Sequence, residues 1–434
     1  MSTYERLRQA LDAIPIVDDH SHVLTYKIGG VAWEGPHEVL PLTRLLLDFN
    51  IRGCFSHFGI PEEMVSELQL GHVSPEEQKR LLTGPHAANK TTYRFMIRGL
   101  RELYGLDIWD ITADNWDAVN AVLAGTRDDY YGLLDKAFRL SNVKCSVLNL
   151  WSRLCRPYIT NWKDGLTPRE KELDKQYFCF SNTIDSHAIP PFSPMAEAWA
   201  ADFGISLDTL EGYAAMIEEL CRWSVEERGA SAFKISEMYY RRLDYKIRTY
   251  EEAAPCYKPD RTEEESRILG DYVACIVLRM AGKLGVPVQI HTGSIWGDFA
   301  MANISPEHLA GVIRAFPETR FDLLHGGDPF YGTMALMGAG FPNVYVNMST
   351  MPNSSYEDFK HWLSIFLDRV PSRKISVGWD EFAPELIPGN AWHTRNVIAE
   401  VLAGKVDAGL YGYEQALEIA KDIMYRTADE LFGI

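Results

Sequence analysis

Two histidines one residue apart, His20 and His22, end the apolar run AIPIVDDHSH. On an extended strand, side chains two positions apart leave the same face, so both imidazoles can converge on one cation. The pair alone is weak evidence, because HxH arises by chance. Four further polar residues recur in comparable settings: Lys234 within SAFKIS, His291 closing VPVQIH, His325 closing RFDLLH and Asp380 closing KISVGWD. Imidazole nitrogens and carboxylate oxygens are the ligands that zinc and related divalent ions take up. The bland alternative is that all six are unrelated polar caps of strands or helices, which requires them to share that placement by coincidence.

Residues so far apart in the chain need a scaffold that gathers strand ends at one rim. Short apolar, β-branched runs appear at 231–236, 286–291, 320–325, 343–348 and 374–380, separated by segments of helical periodicity such as EESRILGDYVACIVLRMAGKLG and SPEHLAGVIRAFP. The second of these opens on Ser305 as an expected N-cap, with Glu307 close behind. Strand alternating with helix implies a parallel sheet. The run ending at His22 reads as the first strand, NVKCSVLNL (142–150) as the second, and QYFCFSN (176–182) as a candidate third. The expected fold is therefore α/β, a (β/α)8 TIM barrel whose C-terminal strand ends carry the chemistry. About a hundred residues between the first two strands are too many for an ordinary βα loop. Residues 31–140 are expected to be a helical insertion covering the barrel mouth, within one domain spanning 1–434. The polar tracts 160–175 and 253–266 suit surface excursions.

The net charge of −17 disfavours nucleic acid and anionic membrane surfaces, and no run of Lys and Arg offsets it locally. With 46% apolar and 24% charged residues, an ordinary large core can be buried. The first twenty residues have no uninterrupted apolar stretch of signal-peptide type, so a cytoplasmic protein is expected. Seven widely spaced cysteines without a CxxC pair argue against disulfides and a cysteine zinc site. A small-molecule substrate and a homo-oligomer are expected.

VDDHSH, IHTG, LLHGG and GWDEF resemble the strand 1, 5, 6 and 8 motifs of the amidohydrolase superfamily, in order and spacing over nearly the whole chain. FKISEMYYRR through WDEFAPE is similar to the amidohydrolase-like domain that nodulin-type proteins carry fused to glutamine synthetase. The insertion and RLSNVKCSVLNL resemble uronate isomerases. The resemblance implies that His20, His22 and Asp380 hold one divalent ion, zinc by expectation, and that His291 and His325 hold a second if two are bound. Lys234 would then bridge them as a carbamate, or stay unmodified and pair with a substrate carboxylate or Asp380. With one ion, His291 joins the first set and His325 is free to polarise a carbonyl or orient water. Either arrangement lowers the pKa of bound water, with Asp380 as acid and base.

Arg241 and Arg242, shortly after Lys234, are candidates to grip a substrate carboxylate, although solvated surface charge is the commoner fate. Trp296, Trp379 and Trp392 are candidates for a pocket wall or for plain packing, and His57 is a candidate to reach the site from the insertion. The leading expectation is a metal-dependent hydrolase acting with activated water on an amide or ester-like bond of a small carboxylate-bearing substrate. Its rivals are a uronate or sugar-acid isomerase, a nonoxidative decarboxylase and, last, a barrel that binds without catalysis. Against the isomerase, Glu381 and Phe382 follow Asp380 where those enzymes typically carry an Arg.

Overall fold

The computed structural model describes residues 1–29, 35–47, 60–83, 89–293 and 301–434. Its centre is one sheet of eight parallel strands in sequential order: β1 (Ile16–Ser21), β2 (Val143–Asn149), β3 (Phe178–Thr183), β4 (Ala232–Ile235), β5 (Val288–Ile290), β6 (Phe321–Leu323), β7 (Val344–Asn347) and β8 (Ile375–Ser376). The sheet closes on itself beyond β8: Asp19 N donates to Val377 O (3.2 Å), Asp380 N to His20 O (2.8 Å), and Ser21 bridges Glu381 in parallel. The expected TIM barrel is therefore present, and its closure seam runs directly through the HxH and Asp380 segments.

Inside the barrel the pleat stacks layers of different character. At the lower end Val17, Cys145, Val147 and Ala232 pack against Ala428, Leu431 and Phe432, the last three from the helix Thr427–Phe432. Above them lies a buried polar layer, in which Ser146 donates to Asp18 (2.6 Å) while Gln289 and Asn347 each donate to Asp322 (3.0 Å). Outside, helices such as Leu210–Glu226 and Glu263–Leu284 bury Leu220, Val273 and Val277 against the strands. Arg395 is buried with no carboxylate partner among the described residues, and its guanidinium donates to the carbonyls of Leu11, Ile14 and Ser141, tying the N-terminal segment to the start of β2.

Between β1 and β2 run the helices Pro41–Leu46, Glu62–Leu70, Pro75–Leu82, Thr91–Tyr104, Trp116–Ala124 and Tyr130–Leu140. The last of them supplies Leu134, Ala137 and Phe138 to the main core, the role of a barrel helix. The preceding ones enclose a separate apolar cluster, including Leu42, Met96, Leu100 and Trp116, that is completed by Leu386 from the loop after β8. Gly99 makes this junction possible: a Cβ there would stand 1.7 Å from Glu385 O. Tyr104 hydroxyl donates to Glu385 (2.7 Å) beside it.

Two local expectations change. The tract 160–175 is on the surface but folds mostly as the helix Pro168–Tyr177, because Thr167 and Glu170 form a capping box. Ser305 stands at an N-cap position, yet its hydroxyl bonds the Glu307 carboxylate instead of a backbone N–H. The six described cysteines are free. No described helix is long and apolar enough to cross a membrane.

Candidate metal centre

β1 and β8 end side by side, and that adjacency brings His20, His22 and Asp380 together. His20 Nε2 lies 3.2 Å and His22 Nε2 3.1 Å from the same oxygen, Asp380 Oδ1. One ligand atom from each of the three falls within 4.8 Å of the others. Lys234, at the end of β4, points its Nζ to 3.4 Å from His20 Nε2. From β6, the His325 ring lies 5.6 Å from that of His20, and the His291 ring from β5 lies 4.2 Å from that of His325. Among the described residues the ligand atoms of His20, His22 and Asp380 converge, while Lys234, His291 and His325 lie beside them at the same rim.

Backbone conformation sets several of these directions. Asp380, His325 and Thr350 all have positive φ, of 58°, 66° and 71°. Such values are uncommon for non-glycine residues and an outlier for β-branched threonine. They occur here after β8, β6 and β7, where strain that re-aims a side chain serves a site. Thr350 Oγ1 lies 2.8 Å from His325 Nδ1 and 3.3 Å from Asp380 Oδ2. A hydroxyl has one proton, so both contacts are satisfied when His325 Nδ1–H donates to Thr350 and Thr350 donates to Asp380. That tautomer leaves His325 Nε2 as an acceptor.

Electrostatics favour a cation at this point. Burial drives His20 and His291 well below the ordinary histidine range and His325 down to about 4, so these rings are neutral at pH 7. Burial alone would raise the Asp380 carboxyl, but hydrogen bonds from His20 and His22 outweigh it and hold the group well below its usual range. Burial also lowers the Lys234 ammonium to about 7, against the pull of Asp380 and Asp322. Among the described residues, His291 Nε2 and His325 Nε2 are buried without a hydrogen-bond partner. Neutral imidazoles, an ionised carboxylate and orphaned ring nitrogens make a donor set suited to a divalent ion.

The candidates for substrate contact fare differently. Arg241, expected to grip a carboxylate, is instead engaged by Asp271 (2.6 Å), whose other oxygen takes Arg248 (3.1 Å). A buried acid on the helix Glu263–Leu284 has claimed the guanidinium. Arg242 is exposed and donates to His308 (3.2 Å). Trp379 is wholly buried and donates to Thr394 (3.1 Å), which makes it packing, while Trp392 lies under the Arg98 guanidinium at 4.4 Å. Trp296 and His57 lie outside the described residues.

Several neighbours of the site were not anticipated. Thr350 and Ser349, in NMST after β7, anchor His325. Phe382 stacks on His22 with ring centres 4.6 Å apart and planes within 10°. The Tyr239 ring abuts His291 edge-on at 5.0 Å. Their signal in the sequence is only their position, two to six residues beyond a strand end.

A family model described as amidohydrolase matches residues 224–434. Protein fluG of Emericella nidulans is 30% identical over 452 residues, covering 100% of this chain and 47% of fluG, so the chain spans about half the length of that curated relative. Among solved structures, the uronate isomerase of Thermotoga maritima superposes with a TM-score of 0.73 at 15% identity, covering 99% of this chain and 97% of the isomerase. Glucuronate isomerase from Caulobacter crescentus gives 0.72 at 14%, over 99% and 94%. A Lactobacillus casei protein assigned to the metal-dependent hydrolases gives 0.63 at 15%, over 98% and 97%. Residues 224–434 therefore match the amidohydrolase family model, and the barrel they complete shares the fold of these solved structures.

Proposed function

We propose that this protein is a metal-dependent hydrolase that cleaves an amide or ester-like bond of a small carboxylate-bearing molecule. The observation that carries the reading is the convergence of His20 Nε2, His22 Nε2 and Asp380 Oδ1, with His325 Nε2 turned inward by its tie to Thr350. His20, His22 and Asp380 would hold one ion, zinc by the chemistry of the ligands, with His291 positioned to join them. Such an ion supplies Lewis acidity, favouring ionisation of water and polarisation of a carbonyl.

The chain's own residues then divide the remaining work. His325, neutral at pH 7 and accepting through Nε2, orients the attacking water. Asp380, ionised, takes the water's proton as the oxygen adds to the carbonyl carbon. It returns that proton to the departing nitrogen or oxygen as the scissile bond breaks. Lys234, whose ammonium burial lowers to about 7, is partly in the free-amine form at neutral pH and would be available to take up carbon dioxide as a carbamate if a second ion is bound.

A sugar-acid isomerase would use the same donors, and the two isomerases above share the fold. Glu381 distinguishes the readings locally: it is buried and accepts from Asn353 (2.9 Å) and Asn390, so it serves the fold and is not presented to a substrate. Incubation of purified enzyme with a panel of N-acyl and γ-glutamyl amides beside glucuronate and galacturonate tests the choice. Amide cleavage is expected; turnover of the uronates alone overturns it.

A further inference from the structure

Beside His22 the rim is aromatic. Phe382 lies flat on the His22 ring, Tyr26 approaches Phe382 at 5.6 Å, and Trp151 approaches Phe382 and Tyr26, each at 6.1 Å. Trp151 follows β2 directly, at the end of the barrel where loops meet substrate, and it keeps 38% of its surface exposed. Phe382 is 4% exposed and fixes the inner edge of the wall. The exposed guanidinium of Arg153 lies over the Trp151 ring at 5.2 Å, while the neighbouring Arg156 pairs with Asp202. The wall therefore begins on a candidate metal ligand and ends on an exposed cation, while Arg241 is committed to Asp271.

We propose that Tyr26, Trp151 and Phe382 form a subsite for a planar apolar ring of the substrate, and that Arg153 receives that substrate's carboxylate. This inference rests on the hydrolase reading and narrows its substrate class to amides or esters in which an aromatic acyl group and a carboxylate flank the scissile bond. Aromatic faces reward a planar ring by offset or edge-on contact, and a guanidinium on an aromatic face retains its donors for a carboxylate.

Calorimetric titration of this chain, zinc-loaded, with N-benzoylglycine, N-acetylglycine and D-glucuronate tests this without requiring turnover. The benzoyl compound is expected to bind about tenfold more tightly than the acetyl compound. W151A removes that preference, and R153A weakens both compounds while leaving their ratio. Equal affinities, no binding of either compound, a preference that survives W151A, or tightest binding of glucuronate overturns the inference. Trp151-dependent binding of N-benzoylglycine without cleavage upholds the subsite and removes the hydrolase reading. Amide cleavage without aromatic preference does the reverse.

Discussion

At the lower end of the barrel Val17, Cys145, Val147 and Ala232 meet Ala428, Leu431 and Phe432 in apolar contact. At the upper end three non-glycine residues, after β6, β7 and β8, carry positive φ, and four buried imidazole nitrogens, one each on His20, His22, His291 and His325, have no partner among the described residues. Strain and unsatisfied polar atoms each cost on the order of 1–3 kcal/mol. They are tolerated where the remaining structure is stable enough to impose them. The lower end supplies that stability through burial, and the upper end uses it to hold donors in a geometry they would not adopt alone. The polar layer of Asp18, Asp19 and Asp322 separates the two.

The largest expected effect breaks the upper end only. Asp380→Asn should lower turnover by about 10²- to 10⁴-fold, because the residue both holds the ion and moves the proton. Its circular dichroism and melting temperature should stay near wild type, and retention of more than a few per cent of activity would contradict the role. Conversely, Phe432→Ala should cost about 3–5 kcal/mol in denaturant unfolding, while kcat of the folded fraction is unchanged. A matching loss of kcat would show that the two ends are not separable.

The intermediate layer sharpens the contrast through pH. Burial raises Asp18 to about 7, so its contribution to stability is full below about 4, where the unfolded carboxyl is also protonated, and is lost as pH rises through 7. The rim histidines run the other way. His325, pushed by burial down to about 4, contributes stability that is full above about 6.5 and is lost as pH falls through 4. Asp18→Asn should therefore stabilise the metal-free protein by on the order of 3 kcal/mol at pH 8, with the gain vanishing near pH 4. Unfolding curves at the two pH values check it, and equal effects at both would contradict the buried, protonated state.

The smallest effect concerns the tie between β7 and the site. Thr350→Val removes the hydroxyl shared by His325 and Asp380. It should lower kcat about tenfold, the loss of one hydrogen bond of about 1 kcal/mol, with KM and metal content unchanged. Loss of metal instead would assign Thr350 to ligand placement.

Legibility in the sequence followed the same division. The strands β4 to β8 and the residues closing them stood out, because apolar runs of fixed length broken by His, Lys or Asp carry a periodic signal. β3 was ambiguous, since QYFCFSN abuts a polar tract whose TPRE capping box starts a helix instead of a loop. The ion pair that engages Arg241 was not legible, because Asp271 lies 30 residues onward on a helix, where only the folded packing reveals it. Thr350 and Trp151 escaped notice, and the stacking of Phe382 on His22 was not foreseen, because these residues lie in loops, where φ decides which side chain turns inward and no periodicity records it.

The central claim is a cation held between the end of β1 and the end of β8. Metal analysis of purified wild-type protein beside His22→Ala and Asp380→Asn, after growth with added zinc or manganese, tests it most directly. About one divalent ion per chain in wild type, and a small fraction of that in both variants, is the expected result. A wild-type protein as empty as the variants, or variants as full as wild type, would contradict it.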